Sequence, residues 1–569
     1  MHTSDHQEPQ ETEASQTERC IVRMDSLYTA ECCVANRGIS EHAAILATPK
    51  HVHLQTPTST PEDTATNGVP QEFPGVEETI AASDTMGLPQ PRSEADETPS
   101  PHHPPVNPGF GITWDQAERA VEDFTTIFTA HFPFIILDHD ITAPRLCLEK
   151  PLLFRAILMM AIDFSLSKSR EIRRSIDAWI GQHLLVLEEQ SLGVLQGLVV
   201  YIAWSNPHFY FDHRPTQLMY LAVGLAHSLG ITRPPARSNT PVKTETEINE
   251  EHRTFLACYY LLSFNSFQFG RPNPLSSSYV QDCVDSLERS CEFSTDFLLV
   301  KLVKFRQFIG RVPTVYQGLR DTKWRREISS DASDQLEEVR KDLDDLISDV
   351  SHKHPKLLLL WSLQHSALLQ LHLPMTYAVP DSEGTSHLQL ECMQHCLQAS
   401  HAFATMAKSF CSDGFLYAPF TTFVDLVSML IATSRVLLLD VDGWGLKNTQ
   451  QRFDLRTAID DVVVKLTSAT EVKAKRVAAA AASNPSSYIP DGPDEEKHDK
   501  LRIFMRLVES IRNWVESHNA SPSSYGELGQ DRVNESRAST RVHVSPQSPQ
   551  WNFTYFFESL LQIDQSSVY

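Results

Sequence analysis

Three sets of residues in this 569-residue chain have the types and spacing that chemistry requires. The first is Asp344, Asp345 and Asp349. Paired aspartates on a helical wall can hold magnesium against a diphosphate, because hard cations take carboxylate oxygens. However, Leu336, Val339, Leu343, Leu346 and Val350 form the apolar stripe of the same segment. Its acids alternate with Arg340 and Lys341, which reads as a solvated helix face. A second magnesium motif of the Asn/Asp–Ser–Glu kind is not seen on any later helix.

The second set is His208 with Asp212 and His213, and Cys392 with His395, Cys396 and His401. Cys392 and Cys396 are one turn apart and share a helix face. A zinc site needs four ligands in closed tetrahedral geometry, and no set of four emerges, so buried thiols beside satisfied histidines are expected. The third set is basic: Lys168, Arg170, Arg173 and Arg174; Lys323, Arg325 and Arg326; Lys473, Lys475 and Arg476. Each has the composition of a weak nuclear-import signal. Each equally suits the solvated face or the last turn of a helix, where cations meet the negative end of the dipole. None has the base-reading side chains or aromatic interleaving of a sequence-specific DNA contact. There is no glycine-rich phosphate loop, nucleophile elbow, zinc-protease helix or dinucleotide fingerprint. The residues therefore predict no catalytic, cofactor-binding or metal site, and zinc is not expected.

The elements that carry these residues are helices. Ala117, Ala120, Val121, Phe124, Ile127, Phe128 and Phe132 recur at helical spacing behind Thr113 and Gln116, a capping pair. The pattern predicts further helices over 144–166, 171–189, 192–204, 218–229 with Gly230 as its C-cap, and one capped by Asn249 that runs to Phe267. Others are expected over 295–316, 333–350, 355–373, 386–410, 421–440, 455–475 and 496–517. Period-two strand patterns are almost absent and no fixed repeat is visible. The fold class is all-α, a large irregular helical domain over 109–518, with 483–493 as an internal linker.

Composition marks off the ends. The chain carries a formal charge of −23, about half of it in residues 1–108, which are rich in Pro, Ser, Thr, Glu and His. A net acidic chain repels phosphate backbones, so direct DNA contact is not expected. Residues 1–108 bury too little apolar surface to offset their ordering entropy and read as disordered, with a transient helix conceivable over 20–46. The ten cysteines are scattered as reduced thiols are, no secretory leader is visible, and apolar runs are broken by Asp, Arg or His before about 18 residues, so no membrane contact is expected. Residues 519–549 form a polar linker. Residues 550–569 then gather Trp551, Phe553, Tyr555, Phe556, Phe557, Leu560 and Leu561 among acids. Such a segment suits either an activation segment that folds against a coactivator groove or a last helix docked on the domain.

Three stretches occur in a recognisable order: His131-Phe-Pro-Phe-Ile-Ile with Glu149-Lys-Pro-Leu-Leu-Phe-Arg-Ala-Ile-Leu158; Val194 to Trp204 followed by His208-Phe; and Arg253-Thr-Phe-Leu-Ala-Cys-Tyr-Tyr260 followed by Arg271-Pro-Asn-Pro-Leu275. Together they resemble the middle homology region of fungal zinc-binuclear-cluster transcription factors, over about residues 110–440. The likeness is particularly to the subgroup tied to secondary-metabolite gene clusters. The resemblance implies a nuclear transcriptional regulator with an all-helical regulatory domain that contacts effectors or partners, the transcription machinery and homo- or heterodimer partners among them. Trp204, Arg253, Tyr259, Tyr260, Arg271 and Pro272 are expected to be architectural, with Arg271 clamping a helix C-terminus. The family reads DNA through a separate N-terminal module in which six cysteines hold two zinc ions. Here the N-terminal cysteines are Cys20, Cys32 and Cys33, with no Cys-x-x-Cys and no basic run. Two readings stay open: the chain works through a DNA-binding partner, or the sequence lacks an N-terminal exon. A scaffold that has lost DNA binding is the alternative function, and an all-helical enzyme acting on diphosphates the third.

Overall fold

The computed structural model describes residues 105–205, 214–234, 243–269, 273–275, 277–316, 330–351, 358–377, 387–409, 412, 414–439, 441, 443–444, 453–492 and 499–519. Outside them lie most of the acidic N-terminal region, His208, Asp212, His213, Arg271, Pro272, the 323–326 basic cluster, the polar linker after 519 and the aromatic segment Trp551 to Leu561. Among the described residues there are helices and no strand.

The first helices build a layer around phenylalanine and leucine. α1 (Trp114–Thr126) starts at a capping box: Gln116 N donates to Thr113 Oγ1 while Thr113 N donates to Gln116 Oε1, satisfying two orphan helix-end donors reciprocally. The single helix expected over 144–166 is two, and the one expected over 171–189 starts five residues early. α2 (Ala143–Glu149) stops at Lys150, because Pro151 disfavours the helical conformation in the residue before it. α3 (Pro151–Ala161) uses that proline as its first residue, where a missing N–H costs nothing. α4 (Leu166–Ile180) starts afresh behind Ser165, whose Oγ accepts from Lys168 N. It then widens into a π-turn, Gly181–Val186, ending in the exposed Leu185, Val186 and Leu187.

α5 (Leu192–Ser205) is apolar on nearly every face and lies against α3. Gly197 sets the approach: a Cβ there would sit 2.6 Å from the Leu152 carbonyl carbon. α6 (Arg214–Ser228) ends at Gly230, whose φ of +72° is the left-handed C-cap expected. α7 (Glu245–Phe269) begins one turn before the expected cap. Thr244 and Glu247 form its capping box, and Asn249 is buried inside the helix. α8 (Ser278–Ser290), absent from the sequence expectation, buries Tyr279, Val280, Cys283, Val284 and Leu287 at helical spacing.

The second half comprises α9 (Asp296–Val315), α10 (Ser330–Ser351), α11 (Leu358–His372), α12 (His387–Ser409), the single turn α13 (Gly414–Tyr417), α14 (Phe420–Leu438), α15 (Leu455–Ser483) and α16 (Lys500–Asn519). α11 packs on α9, α12 and α14, and α16 lies across α14 and α15. α15 runs eight residues past its expected end, through Ala478–Ala482, residues of the highest helix propensity. The apolar core is continuous from Ile112 to Val515.

Contrary to expectation, one helix is long and apolar enough to cross a membrane: Phe420–Leu438, 19 residues. It has that composition because it is the central core helix, 89% buried within the protein. Its two charges do not break the run, because each is partnered inside: Asp425 by Arg306 and Arg435 by the Thr376 hydroxyl and carbonyl.

The expected linker 483–493 is docked where it is described. Asn484 Nδ2 donates to Gly111 O (2.9 Å) and Gln116 Oε1 (3.1 Å). Ile489 N donates to Ser165 Oγ at 3.3 Å, and Ser167 N to Asp491 Oδ1 at 2.9 Å. This strap ties the α15–α16 pair to α1 and α4.

Candidate functional site

The residues singled out by the ordered motifs lie along one seam of rings and guanidinium groups. Phe128, Phe132 and Phe134 enter it from the turn after α1. Trp204, on the last turn of α5, meets Phe128 and Phe132 edge-on at centroid distances of 5.8 and 5.7 Å. Its indole Nε1 donates to Tyr417 O at 3.0 Å, which fastens α5 to α13. A half-buried indole with its one donor satisfied is stable packing.

Tyr260 on α7 continues the seam, 5.1 Å from Phe134. Arg306 on α9 stacks over Tyr260 (5.2 Å) and Phe264 (4.8 Å), and its Nη2 donates to Asp425 Oδ2 at 2.7 Å. Burial opposes the Arg306 charge most strongly, but the Asp425 carboxylate and Tyr260 together outweigh it and hold the guanidinium protonated. Burial pushes the Asp425 carboxyl up, with Arg306 offsetting part of the rise. Arg306 Nε and Nη1 and Asp425 Oδ1 have no hydrogen-bond partner.

Arg253, one and a half turns before Tyr259, makes a second buried clamp. Its Nε and Nη2 grip Asp296 Oδ1 and Oδ2 at 2.7 and 2.9 Å, and Nη2 also reaches Glu292 Oε2 at 2.8 Å. Burial again works against the charge most strongly, and the hydrogen bonds and charges of Asp296 and Glu292 together outweigh it. The fork pins the first residue of α9, and Phe293 N donates to the same carboxylate. Tyr259 sits at the far end of this turn, where Asn273 Nδ2 donates to its carbonyl (3.5 Å) and to Ser263 Oγ (2.8 Å). Burial raises the phenol of Tyr259, as it does the thiols of Cys258 and Cys283, each pushed up to about 12. Thiols so raised are poor nucleophiles.

Among the described residues, the other candidate sets do not assemble. Asp344 and Asp345 stand exposed on α10; Arg340 Nε lies 3.9 Å from Asp344, and Asp342 pairs with Arg311 at 2.8 Å. Cys392 and Cys396 are buried, the first pushed up to about 12 by burial, and Cys396 Sγ faces Leu369 O. His395 stacks on His372 at 4.6 Å, whereas His401 sits exposed with its edge on Phe453. Among the described residues, no group of three His, Cys, Asp or Glu side chains is placed to hold a metal. The basic residues of α15 were expected on a solvated face, yet Lys473 is buried at its junction with α16. The arrangement as a whole positions helices and exposes surfaces.

Residues 149–287, from the end of α2 through most of α8, match the fungal specific transcription factor domain. A transcription factor of Penicillium oxalicum, opdL, is 23% identical over 378 residues, covering 61% of this chain and 64% of that protein. The transcription factor himD of Aspergillus japonicus is 24% identical over 225 residues, covering 38% of this chain and 37% of its own. A transcription factor of Aspergillus terreus is 28% identical over 162 residues, 28% of this chain and 24% of its own. The chain thus spans less than two thirds of the length of the curated relatives it matches. No solved structure matches.

Proposed function

We propose that this chain, which carries the fungal specific transcription factor domain, is a nuclear, non-catalytic regulator of transcription that controls a secondary-metabolite gene cluster. The match over 149–287 carries the reading, because it takes in Glu149–Leu158 of the first motif stretch and the whole of the second and third, with Trp204, Arg253 and Tyr260. Those residues are spent on helix-to-helix packing and two ion clamps, which suits a platform for partners. The helical domain then acts through a DNA-binding partner protein, the chain forms a homo- or heterodimer, and the aromatic segment from Trp551 to Leu561 contacts the transcription machinery.

The test is a genome-wide comparison of transcripts between a strain lacking the chain and its parent. A compact set of genes that falls or rises together and recovers on complementation is expected. Unchanged transcripts with loss of a metabolite would overturn the regulator. A reporter tethered to the C-terminal segment tests the finer part: Trp551→Ala, Phe556→Ala and Leu560→Ala together abolish activation, and unchanged activation removes that segment from the proposal.

A further inference from the structure

The outer face of α4 is shaped and charged to meet a copy of itself. Ile172, Ile176 and Ile180 turn one side of the helix inward. Arg174 and Ala178 lie opposite them and are exposed. Gly181, one turn after Ala178, opens the π-turn. A Cβ on it would meet nothing within 4 Å, so the outer face continues through it. Leu185, Val186 and Leu187 then stand 66%, 66% and 56% exposed, three large apolar residues in succession. The chain holds this knob in place. Leu187 N donates to Gln182 O and Glu189 N to His183 O, both at 2.9 Å, and the His183 ring stacks on Trp179 at 4.0 Å. A contiguous exposed apolar surface of this kind marks a contact site.

The charges identify the occupant. Lys168 pairs with Glu171, Asp177 with Arg214 and His183 with Glu189. Arg173 is half-buried beside Tyr201 and Asp177, and Arg170 is half-buried too. Of the charges in residues 166–191, that leaves Arg174 and Glu188 exposed with no ion pair among the described residues. They are opposite in sign, and each is seven residues from Gly181. A two-fold axis at Gly181, with the helices antiparallel, sets Arg174 of each copy against Glu188 of the other. It also lays Leu185 and Leu187 over the short side chains of Ala178 and Ser175. Both charge pairs form at once, which is the self-complementarity a two-fold interface requires. Gly181 suits the crossing point. Its φ of −59° needs no glycine and its own chain does not crowd it, yet glycine is a poor helix former. The lack of a Cβ lets a second backbone come close.

On the reading of this chain as a dimeric regulator, we propose that two copies pair antiparallel through the outer face of α4 and its π-turn, crossing at Gly181. The face from Arg170 to Glu189 offers fewer residues than the about 20–30 a side of a standard interface, so the dimer is weak and concentration-dependent.

Sedimentation equilibrium of the full chain at up to about 100 μM, within reach of a weak interface, shows monomer and dimer. Leu185→Ser with Leu187→Ser leaves only monomer. Arg174→Glu weakens the dimer about tenfold by turning two attractions into repulsions, Glu188→Arg does the same, and the two together restore it. Mild oxidation cross-links Gln182→Cys, which lies beside the axis, beyond the level of the parent chain. It does not cross-link Arg174→Cys, whose copies stand about 21 Å apart along the helices. Unaltered thermal melting of each variant excludes loss of fold as the cause. A monomer at every concentration overturns the proposal. So does a dimer indifferent to the two leucine substitutions, a charge exchange that restores nothing, or cross-linking through Arg174→Cys. Sedimentation does not depend on transcription. A monomer whose deletion still alters transcripts fails the pairing alone, and a dimer whose deletion alters none fails the regulator alone.

Discussion

Arg306 on α9 and Asp425 on α14 form an ion pair 2.7 Å long inside the core, under the rings of Tyr260 and Phe264. The two side chains are almost wholly shielded from solvent, so neither charge has water to fall back on. Attraction between buried charges is opposed by their desolvation, and the pair as a whole adds little to stability. Removing one partner is different, because it strands the other. Asp425→Leu or Arg306→Met alone is therefore expected to destabilise by about 3–5 kcal/mol. The double change Arg306→Met with Asp425→Leu recovers most of that loss. Denaturant titration of the four proteins measures the coupling; additive losses in the double variant would sink the interpretation.

Two glycines in neighbouring helices should respond oppositely to the same substitution. Gly197 on α5 faces the backbone of α3, where an added Cβ meets Leu152 and Leu153 backbone atoms that cannot swing away. Gly197→Ala is expected to cost about 1–3 kcal/mol through overpacking. Gly224 on α6 has nothing within 4 Å of the same Cβ and is exposed. Gly224→Ala is expected to stabilise by about 0.4–1 kcal/mol, because it restricts the unfolded chain and raises helix propensity. Thermal melting of the two variants checks both signs.

What the sequence disclosed about these elements depended on how local the determinant was. The Thr113–Gln116 box and the Gly230 cap are each written in a short local stretch of sequence and were legible. So was the apolar run of α5, which is buried all round. Asn249 was misread because Asn is a good cap in isolation, while the box at Thr244 and Glu247 satisfies more donors. The break at Lys150 follows from Pro151, a signal present in the sequence and outweighed there by the continuous apolar pattern. The clamps of the candidate site are another matter. Arg253 finds Asp296 across 43 residues and Arg306 finds Asp425 across 119, and no spacing rule connects them. Lys473 read as a solvated cation because its burial is decided by α16 and the strap, which pack on it from elsewhere in the chain.

Buried neutral histidines make the fold sensitive to mild acid. His131, His252 and His365 are pushed down to about 4 and His372 to about 3, each first by burial. Neighbouring basic groups add to the shift: Lys500 at His131, Arg253 at His252, and His395 with Arg340 at His372. Their ordinary value is 6.5, so between that pH and about 4 the unfolded chain binds protons that the folded chain refuses. The stability these sites contribute is complete above pH 6.5 and is lost as pH falls towards 4, by up to about 1.4 kcal/mol per pH unit for each site. Denaturation midpoints are therefore expected to fall from pH 7 to pH 5, above the range where most carboxylates titrate. His372→Leu removes one proton-binding site from the unfolded chain and should flatten the slope in that window, whatever it does to stability at pH 7. A midpoint that holds constant from pH 7 to pH 5, or a slope untouched by His372→Leu, would show that these rings are protonated within the fold, and that solvent reaches α11 through a path the packed helices α9, α12 and α14 do not provide.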